Sequence, residues 1–295
     1  MEDDNDDECC SLIETLKTPS LSPKHHPSGP TPASGSPSMA YISSASNNND
    51  LVDNLVRYKL LHPTSPVVAA MKRVDRGWFV PPQQVSKAYL DEPFLAPGGF
   101  HLSVPHLYAQ VLEALDLKQG LSFLNLGSGT GYLSYIVAAI VSPTGRVDGI
   151  EQHQFLAEFA ANRCSTIKEL YALNFCNFIA GDAFRFECAT EEGYDRIYIG
   201  GGVSPTAVDR FQANLKVSGV LVAPRGDELV KIERISQRSF RQTVLAAVRF
   251  ASLTQPDFKS LSLLEPIDPH IPLLSAVSSQ KLTLPRGISV ARQVL

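Results

Sequence analysis

The feature that most constrains this chain is a glycine-rich turn between an apolar run and a helical pattern. Glycines occupy three alternate positions, Gly127, Gly129 and Gly131, and a helical pattern begins at Tyr132. The order is therefore strand, turn and helix, in which glycines let the backbone approach a nucleotide-like ligand closely. The spacing is not the G-x-G-x-x-G dinucleotide fingerprint and is typical of S-adenosylmethionine (SAM) sites. An ordinary glycine-rich turn without a ligand is the alternative.

Strand and helix patterns alternate around this turn. We predict strands at 121–126, 146–151, 175–180, 194–199, 217–223, 228–235 and 243–250, and helices at 131–142, 153–170 and 205–215. Two leading helices are expected at 51–61, with Asp50 as N-cap, and at 65–76. Residues 81–102 are expected to be irregular, and a third helix is expected to begin at Pro105. This alternation predicts a Rossmann-like α/β fold with a doubly wound, mostly parallel sheet.

Loops at the carboxyl ends of the predicted strands carry side chains suited to SAM, and ligands of such sheets bind at this edge. Glu151, followed by Gln152, has a carboxylate that can accept hydrogen bonds from both ribose hydroxyls, although an exposed surface glutamate is the alternative. Asp182, followed by Ala183, offers a carboxylate to the adenine amino group. The backbone of the turn completes the predicted cofactor-binding set with Gly127, Ser128, Gly129 and Gly131.

Composition excludes several classes of protein. The formal net charge of −4 gives no support to non-specific nucleic-acid binding. No apolar run reaches the roughly 18 residues that a membrane helix needs. The five cysteines are scattered, match no zinc-site spacing and are odd in number. We therefore expect no metal site, no membrane span and a cytoplasmic location.

The chain divides into three predicted regions. Residues 1–49 are acidic and then rich in Ser and Pro, which predicts a disordered tail that is either a passive extension or a regulatory arm. Residues 50–251 form the predicted SAM-dependent methyltransferase-like domain. Residues 252–295 are rich in Pro, Ser and Leu, which predicts an irregular C-terminal extension.

The segment Phe100-His101-Leu102-Ser103-Val104-Pro105-His106 resembles the signature that precedes the first strand in protein-L-isoaspartate O-methyltransferases. The resemblance extends from about 51 to 251 and includes the glycine-rich turn. The stretch 121–134 is more similar still to a divergent branch of this family, the animal isoaspartate O-methyltransferase domain-containing proteins. The fold implied is that of class I SAM-dependent methyltransferases.

The resemblance implies a reaction and roles for particular residues. The family transfers a methyl group from SAM to isoaspartyl carboxylates of damaged proteins, which is a repair reaction. By resemblance, Ser103 hydrogen-bonds the substrate carboxylate, Phe100, His101 and Leu102 help hold substrate and cofactor, and Glu228 lies where a glutamine contributes to the cofactor pocket. A carboxylate is already ionised at neutral pH, so the reaction needs no general base.

The chain departs from the family at several site positions. Asn125 stands where the family usually has Asp, and Tyr108 stands where the signature has a second histidine. Glu228 replaces a glutamine, and Val104 replaces an alanine beside Ser103. These changes are compatible with SAM binding, and they open the alternative that methyl transfer is slow or lost.

Two other classes of function therefore compete with the enzyme. The divergent branch carries a C-terminal box that resembles those recruiting Elongin B/C and a cullin, which implies a SAM-binding substrate receptor of a ubiquitin ligase. In this chain no further amphipathic helix is evident within 252–295 to serve as that box. The third class is a structural pseudo-enzyme that does not bind SAM.

Overall fold

The computed structural model describes residues 43–187, 193–250 and 253, and the backbone of 282–283. Its helices are α1 (Asn48–Arg57), α2 (Pro66–Arg73), α3 (Pro105–Ala114), α4 (Tyr132–Val141), α5 (Gln154–Thr166) and α6 (Pro205–Gln212). Its strands are β1 (Phe94–Ala96), β2 (Phe100–Leu102), β3 (Ser122–Leu126), β4 (Arg146–Glu151), β5 (Cys176–Ala180), β6 (Phe186–Glu187), β7 (Tyr194–Ile199), β8 (Leu215–Arg225), β9 (Glu228–Arg234), β10 (Phe240–Ala247) and β11 (Leu282–Thr283).

The main sheet has seven strands in the order β10-β9-β8-β7-β3-β4-β5. Strands β3, β4, β5, β7 and β8 are parallel, whereas β9 pairs antiparallel with both of its neighbours, β8 and β10. The predicted doubly wound, mostly parallel sheet is confirmed. Buried apolar residues form one cluster that includes α4 and another that includes α6, and both clusters contain residues of β3. The carboxyl ends of β3, β4 and β7 consequently meet at one edge, which becomes the site.

The folded part of the chain begins earlier than the sequence pattern predicts. Helix α1 begins at Asn48, and the side chain of Asn47, rather than that of Asp50, accepts the capping hydrogen bond. Ser43 is fully buried, and its carbonyl accepts a hydrogen bond from Asn54. Residues 43–49 thus belong to the packed structure. The rest of the predicted tail lies outside the described residues.

The stretch 81–102, predicted to be irregular, contains regular structure. A 3₁₀ helix spans Pro82–Tyr89, and β1 and β2 form an antiparallel hairpin. Gly98 and Gly99 both have positive φ in the turn of this hairpin. Strands of three residues are too short for a period-two pattern to be recognised, which explains why the sequence did not indicate them.

The remaining differences lie at element ends. The predicted helix over 153–170 ends at Thr166, and a 3₁₀ helix, Lys168–Leu173, follows it. Within the described part of the chain, none of the helices combines the length and apolar character needed to cross a bilayer. The C-terminal extension lies outside the described residues apart from residue 253 and the backbone of β11.

Candidate functional site

The glycine-rich turn joins β3 to α4 in a conformation that needs its glycines. Gly127, Gly129 and Gly131 have φ values of 77°, 55° and 87°, a left-handed region that side chains disfavour. The N–H groups of Gly127 and Ser128 both donate to the carbonyl of Ile150, at 2.8 and 3.0 Å. The turn is therefore fixed against the end of β4 and bends the backbone around the strand ends.

Glu151 is tied to this turn by its side chain. One carboxylate oxygen accepts the N–H of Gly129 at 2.8 Å, and the other accepts the N–H of His153 at 3.0 Å. The residue is 6% exposed. A carboxylate has about four lone-pair positions, so each oxygen keeps acceptor capacity for a further donor. The carboxylate is thus oriented in advance for a ligand with two hydroxyls.

A cavity of about 320 Å³ lies at the carboxyl edge of the sheet beside the turn. It brings together residues from the segment before α3 and residues from the ends of β3, β4 and β5. The predicted site residues that line it are His101, Leu102, Ser103, Gly127, Ser128, Gly129, Glu151, Gln152 and Ala183. The residue predicted for catalysis and most of those predicted for cofactor binding therefore share one space.

Four predicted cofactor-binding residues lie outside the lining of that cavity. Phe100 is buried and packs edge-on against Phe155 and Phe159. Gly131 is the N-cap of α4, and Asp182 caps the 3₁₀ helix Ala183–Arg185 through the N–H of Phe184, at 2.8 Å. Glu228 is exposed at the beginning of β9, two strands beyond β7. Phe100, Gly131 and Asp182 thus belong to the elements and turns around the cavity, whereas Glu228 lies away from it.

The cavity lining contains buried polar atoms that find no partner among the described residues. They are Asn125 Oδ1, Ser128 Oγ, Thr130 Oγ1 and the hydroxyl of Tyr198. Asn125 donates through its amide nitrogen to Ser134 Oγ at 2.9 Å, which leaves its oxygen as an acceptor. Buried polar atoms are normally paired, so this set favours a polar ligand. The residues present fit the amino-acid and ribose groups of SAM.

Ser103 follows β2 and is held through its backbone. Its N–H donates to the hydroxyl of Tyr108 at 3.2 Å, and its carbonyl accepts a hydrogen bond from Arg76 Nη2 at 2.8 Å. Tyr108, at the position of the family's second histidine, thus supports the serine segment directly. Its ring also packs edge-on against that of Tyr132, another residue of the cavity wall.

Two histidines lie on either side of Ser103 in the sequence. His106 contacts the buried carboxylate of Asp91 through its ring Nδ1 at 2.9 Å and through its backbone N–H at 3.2 Å. Burial opposes ionisation of Asp91, but the two contacts from His106 oppose this effect, and the pKa of Asp91 lies below its ordinary value. Burial, aided by the charge of Arg76, lowers the pKa of His101, which favours the neutral imidazole at the cavity.

Several residues of the cavity were not predicted from the sequence. Tyr132 and Leu133 come from the first turn of α4, Tyr198 from β7, and Leu253 from the chain beyond β10. The N–H of Leu253 donates to the carbonyl of Gly202 at 2.7 Å. Tyr198 could have been found from its place near the end of the predicted strand 194–199. Leu253 carries no local signal, because its position depends on how the last strands pair.

Comparison with known proteins adds a family to this geometry. Residues 46–257 match the family model described as protein-L-isoaspartate(D-aspartate) O-methyltransferase. A protein-L-isoaspartate O-methyltransferase of Methanothermobacter thermautotrophicus is 35% identical over 191 residues, which are 62% of this chain and 84% of the relative. Protein-L-isoaspartate O-methyltransferase 2 of Archaeoglobus fulgidus is 32% identical over 206 residues, 68% of this chain and 91% of that protein.

Solved structures support the fold. A Plasmodium falciparum crystal structure that carries the family's name, in complex with S-adenosyl-L-homocysteine, superposes with a TM-score of 0.60 at 24% identity, over 71% of this chain and 99% of that one. A second structure titled protein-L-isoaspartate O-methyltransferase gives a TM-score of 0.57 at 20% identity, over 70% of this chain and 65% of the other. The predicted class I SAM-dependent methyltransferase fold is confirmed.

Proposed function

The chain belongs to the protein-L-isoaspartate(D-aspartate) O-methyltransferase family, and on this premise we propose that it is an enzyme that methylates isoaspartyl carboxylates of damaged proteins. Its methyl donor is SAM. The observation that carries the proposal is the shared cavity, in which Ser103 lies with Glu151 and the glycine-rich turn. The site therefore combines a place for the donor with a hydroxyl suited to the acceptor.

The cofactor half of the site is formed by the turn and the end of β4. Gly127 and Gly129 leave room for the ligand because they have no side chains, and Glu151 offers its remaining acceptor positions to the ribose hydroxyls. The unpaired oxygen of Asn125 accepts from a positively charged ammonium, although it lacks the full charge of the family's Asp. When bound, SAM supplies a sulfonium methyl group that is electrophilic without further activation.

The acceptor half of the site needs only to bind and orient a carboxylate. The substrate carboxylate is ionised at neutral pH, so Ser103 acts as a hydrogen-bond donor and removes no proton. Holding the two reacting groups in line is worth up to roughly 7–11 kcal/mol in ideal cases. The Ser103 N–H donates to Tyr108 and the Ser103 carbonyl accepts from Arg76, and these two hydrogen bonds restrict the motion of this segment. Positioning is therefore the main contribution that we assign to the protein.

The proposal is tested by a radiolabelled-methyl assay on an isoaspartyl peptide and its aspartyl counterpart. Wild-type protein is expected to form base-labile methyl ester on the isoaspartyl peptide alone. Ser103→Ala should lose at least about tenfold in kcat/KM, because a charged hydrogen bond to the carboxylate is removed. Ser239→Ala, an exposed serine in the turn between β9 and β10, is the matched control.

Calorimetry with S-adenosyl-L-homocysteine accompanies the assay and shows whether each variant retains the folded cofactor site. Saturable binding without ester on the isoaspartyl peptide, or on aged cellular protein, would contradict the enzyme. The ligase-receptor alternative receives no support from the comparisons, and of residues 252–295, in which no such box is evident from the sequence, the structure describes only residue 253 and the backbone of 282–283. Closeness to the animal branch is not shown by these similarities, and membership of that branch stays a prediction.

A cytoplasmic location completes the proposal. It is supported by the cysteines of the described region, since Cys164 and Cys176 are both free thiols, and free thiols are typical of reducing compartments. Imaging of the tagged full chain tests it, and a secretory pattern would contradict it.

A further inference from the structure

A fully buried arginine lies behind the serine segment of the site. Arg76 is 0% exposed and stands at the beginning of the 3₁₀ helix Arg76–Phe79, after α2. Its Nε donates to the carbonyl of Ala88 at 2.8 Å, and its Nη2 donates to the carbonyl of Ser103 at 2.8 Å. One side chain therefore connects three segments that are separate in the sequence.

The positive charge of Arg76 is not matched by a carboxylate. No carboxylate among the described residues forms an ion pair with it, and the adjacent Asp75 accepts instead from Gly77 N–H and from the hydroxyl of Tyr89. The charge of Asp91 favours the charged form of Arg76 without an ion pair between them, and Asp91 is itself paired with His106. Burying an uncompensated cation is costly, and an apolar side chain would serve packing alone better. The charge itself is therefore the property to be explained.

Aromatic rings separate this charge from the cavity. The guanidinium carbon lies 5.6 Å from the ring centroid of Tyr108 and 5.4 Å from that of Tyr132, and both tyrosines line the cavity. The guanidinium is also near His101 on the cavity wall, where its charge adds to the effect of burial in lowering the pKa of that histidine. An anion beside Ser103 would thus lie near a positive charge that is itself fully buried, where screening is weaker than in water.

We propose that Arg76 is the positioning residue of the acceptor half of the site: it holds the Ser103 backbone in place and makes the potential there favour a carboxylate over a neutral group. This inference rests on the proposed function. It has a consequence for turnover, because the substrate is an anion at this position and the methyl ester product is neutral. The same charge therefore favours binding of the substrate over binding of the product.

The test measures binding of an isoaspartyl peptide and of its methyl ester, each in the presence of S-adenosyl-L-homocysteine so that no reaction occurs. Wild-type protein should prefer the acid by roughly tenfold or more. Arg76→Met keeps much of the side-chain length and removes the charge, so this preference should fall close to unity. Arg73→Met, an exposed arginine in the last turn of α2, is the matched control and should keep the preference.

Arg76→Lys separates the two parts of the proposal and serves if the methionine variant fails to bind S-adenosyl-L-homocysteine. Lysine keeps the charge but not the paired donors, so the preference for the acid and KM should stay within about twofold while kcat falls roughly tenfold. Unchanged preference in a folded Arg76→Met, or an equal loss of kcat and preference in Arg76→Lys, would overturn the inference. Where either of these results is found and wild-type protein methylates the peptide, only this inference is rejected. Where wild-type protein neither binds nor methylates the peptide, the proposed function is rejected together with the inference.

Discussion

At the scale of the residue, Glu151 both holds the glycine-rich turn and lines the cavity that we propose for the cofactor. Its carboxylate accepts the N–H groups of Gly129 and His153 while it lines the cavity. A residue that bonded only to the cofactor would be free to change rotamer before binding. Here the backbone donors select the rotamer in advance, which reduces the entropy lost on binding.

Replacing Glu151 with Gln tests this arrangement. The amide can present only one oxygen, so one of the two backbone N–H groups faces an NH₂ group and loses its acceptor. We expect the affinity for S-adenosyl-L-homocysteine to fall about ten- to a hundredfold, equivalent to about 1.5–3 kcal/mol. Isothermal titration calorimetry measures it. Glu169→Gln, an exposed residue, is the control; equal affinities of both variants would show that Glu151 does not contribute.

The sequence predicted the positions of residues at the cavity where a local motif existed. Glu151 is the last residue of its strand and the glycines directly follow theirs, so their place at the carboxyl edge of the sheet could be inferred from the order of elements. Arg76 could not be identified in this way, since its role depends on contacts with Ala88 and Ser103 that only the folded chain creates. Nothing in its immediate sequence distinguishes a buried arginine from an exposed one.

At the scale of the element, α4 is constrained by the residue that begins it. Gly131 has a φ of 87° and is the N-cap of α4. A Cβ at this position would lie 2.9 Å from Cβ of Ala160 on α5 and 3.1 Å from the ring of Phe178 on β5. The glycine is therefore needed twice, for its backbone conformation and for the close packing of α4 on its neighbours.

Comparing Gly131→Ala with Gly226→Ala separates these two requirements. Gly226, between β8 and β9, also has a positive φ of 65°, but a Cβ there would meet no atom within 4 Å. Gly226→Ala should lose about 1–2 kcal/mol of unfolding free energy from backbone strain alone. Gly131→Ala should lose roughly 3 kcal/mol because crowding adds to that strain. Urea unfolding gives both values, and equal losses would rule out the crowding.

Element-level prediction depended on length. The long strands and helices after Gly120 were located to within a few residues, since their apolar patterns are extended. The hairpin of β1 and β2 was missed because it is short, although it carries the residues directly before Ser103. The conformation of short elements is determined by tertiary contacts, so no local sequence pattern predicts them.

At the scale of the whole molecule, a polar network joins three central strands. The carboxylate of Asp195 on β7 accepts from the N–H and hydroxyl of Ser122 on β3, at 2.8 and 2.6 Å, and from Lys216 on β8 at 3.0 Å. Burial opposes ionisation of Asp195, but these partners outweigh it and lower the pKa of Asp195 below its ordinary 3.8. The ionised form is therefore preferred in the folded protein.

This lowered pKa makes the network a source of acid sensitivity. As the pH falls through 3.8, Asp195 binds a proton in the unfolded chain before it does so in the folded protein. The stability that ionised Asp195 gives the folded protein is therefore present above that pH and is lost as the pH falls further. Asp195→Asn should cost about 1–2 kcal/mol at neutral pH and flatten the decline of stability in acid. Denaturant unfolding across the pH range measures this. The exposed Asp209→Asn is the control, and parallel pH profiles for wild type and Asp195→Asn would contradict the assignment.

The overall architecture was predictable because alternation of strands and helices permits few topologies. The reversal of direction at β9 and β10, and the entry of Leu253 into the cavity, were not, because both depend on how the end of the chain returns to the sheet. The sequence thus indicated the central strands and the chemistry of the turn. The closing wall of the cavity came from the structure.

That closing wall bears on the order of events during synthesis. Leu253 would lie 3.0 Å from a Cβ built on Gly127, although the two residues are far apart along the chain. A ribosome releases the glycine turn early and Leu253 late, so a nascent chain carries the first half of the cavity long before the second. Contacts of such long sequence separation form slowly. The complete cavity therefore becomes available only after residue 253 has been synthesised.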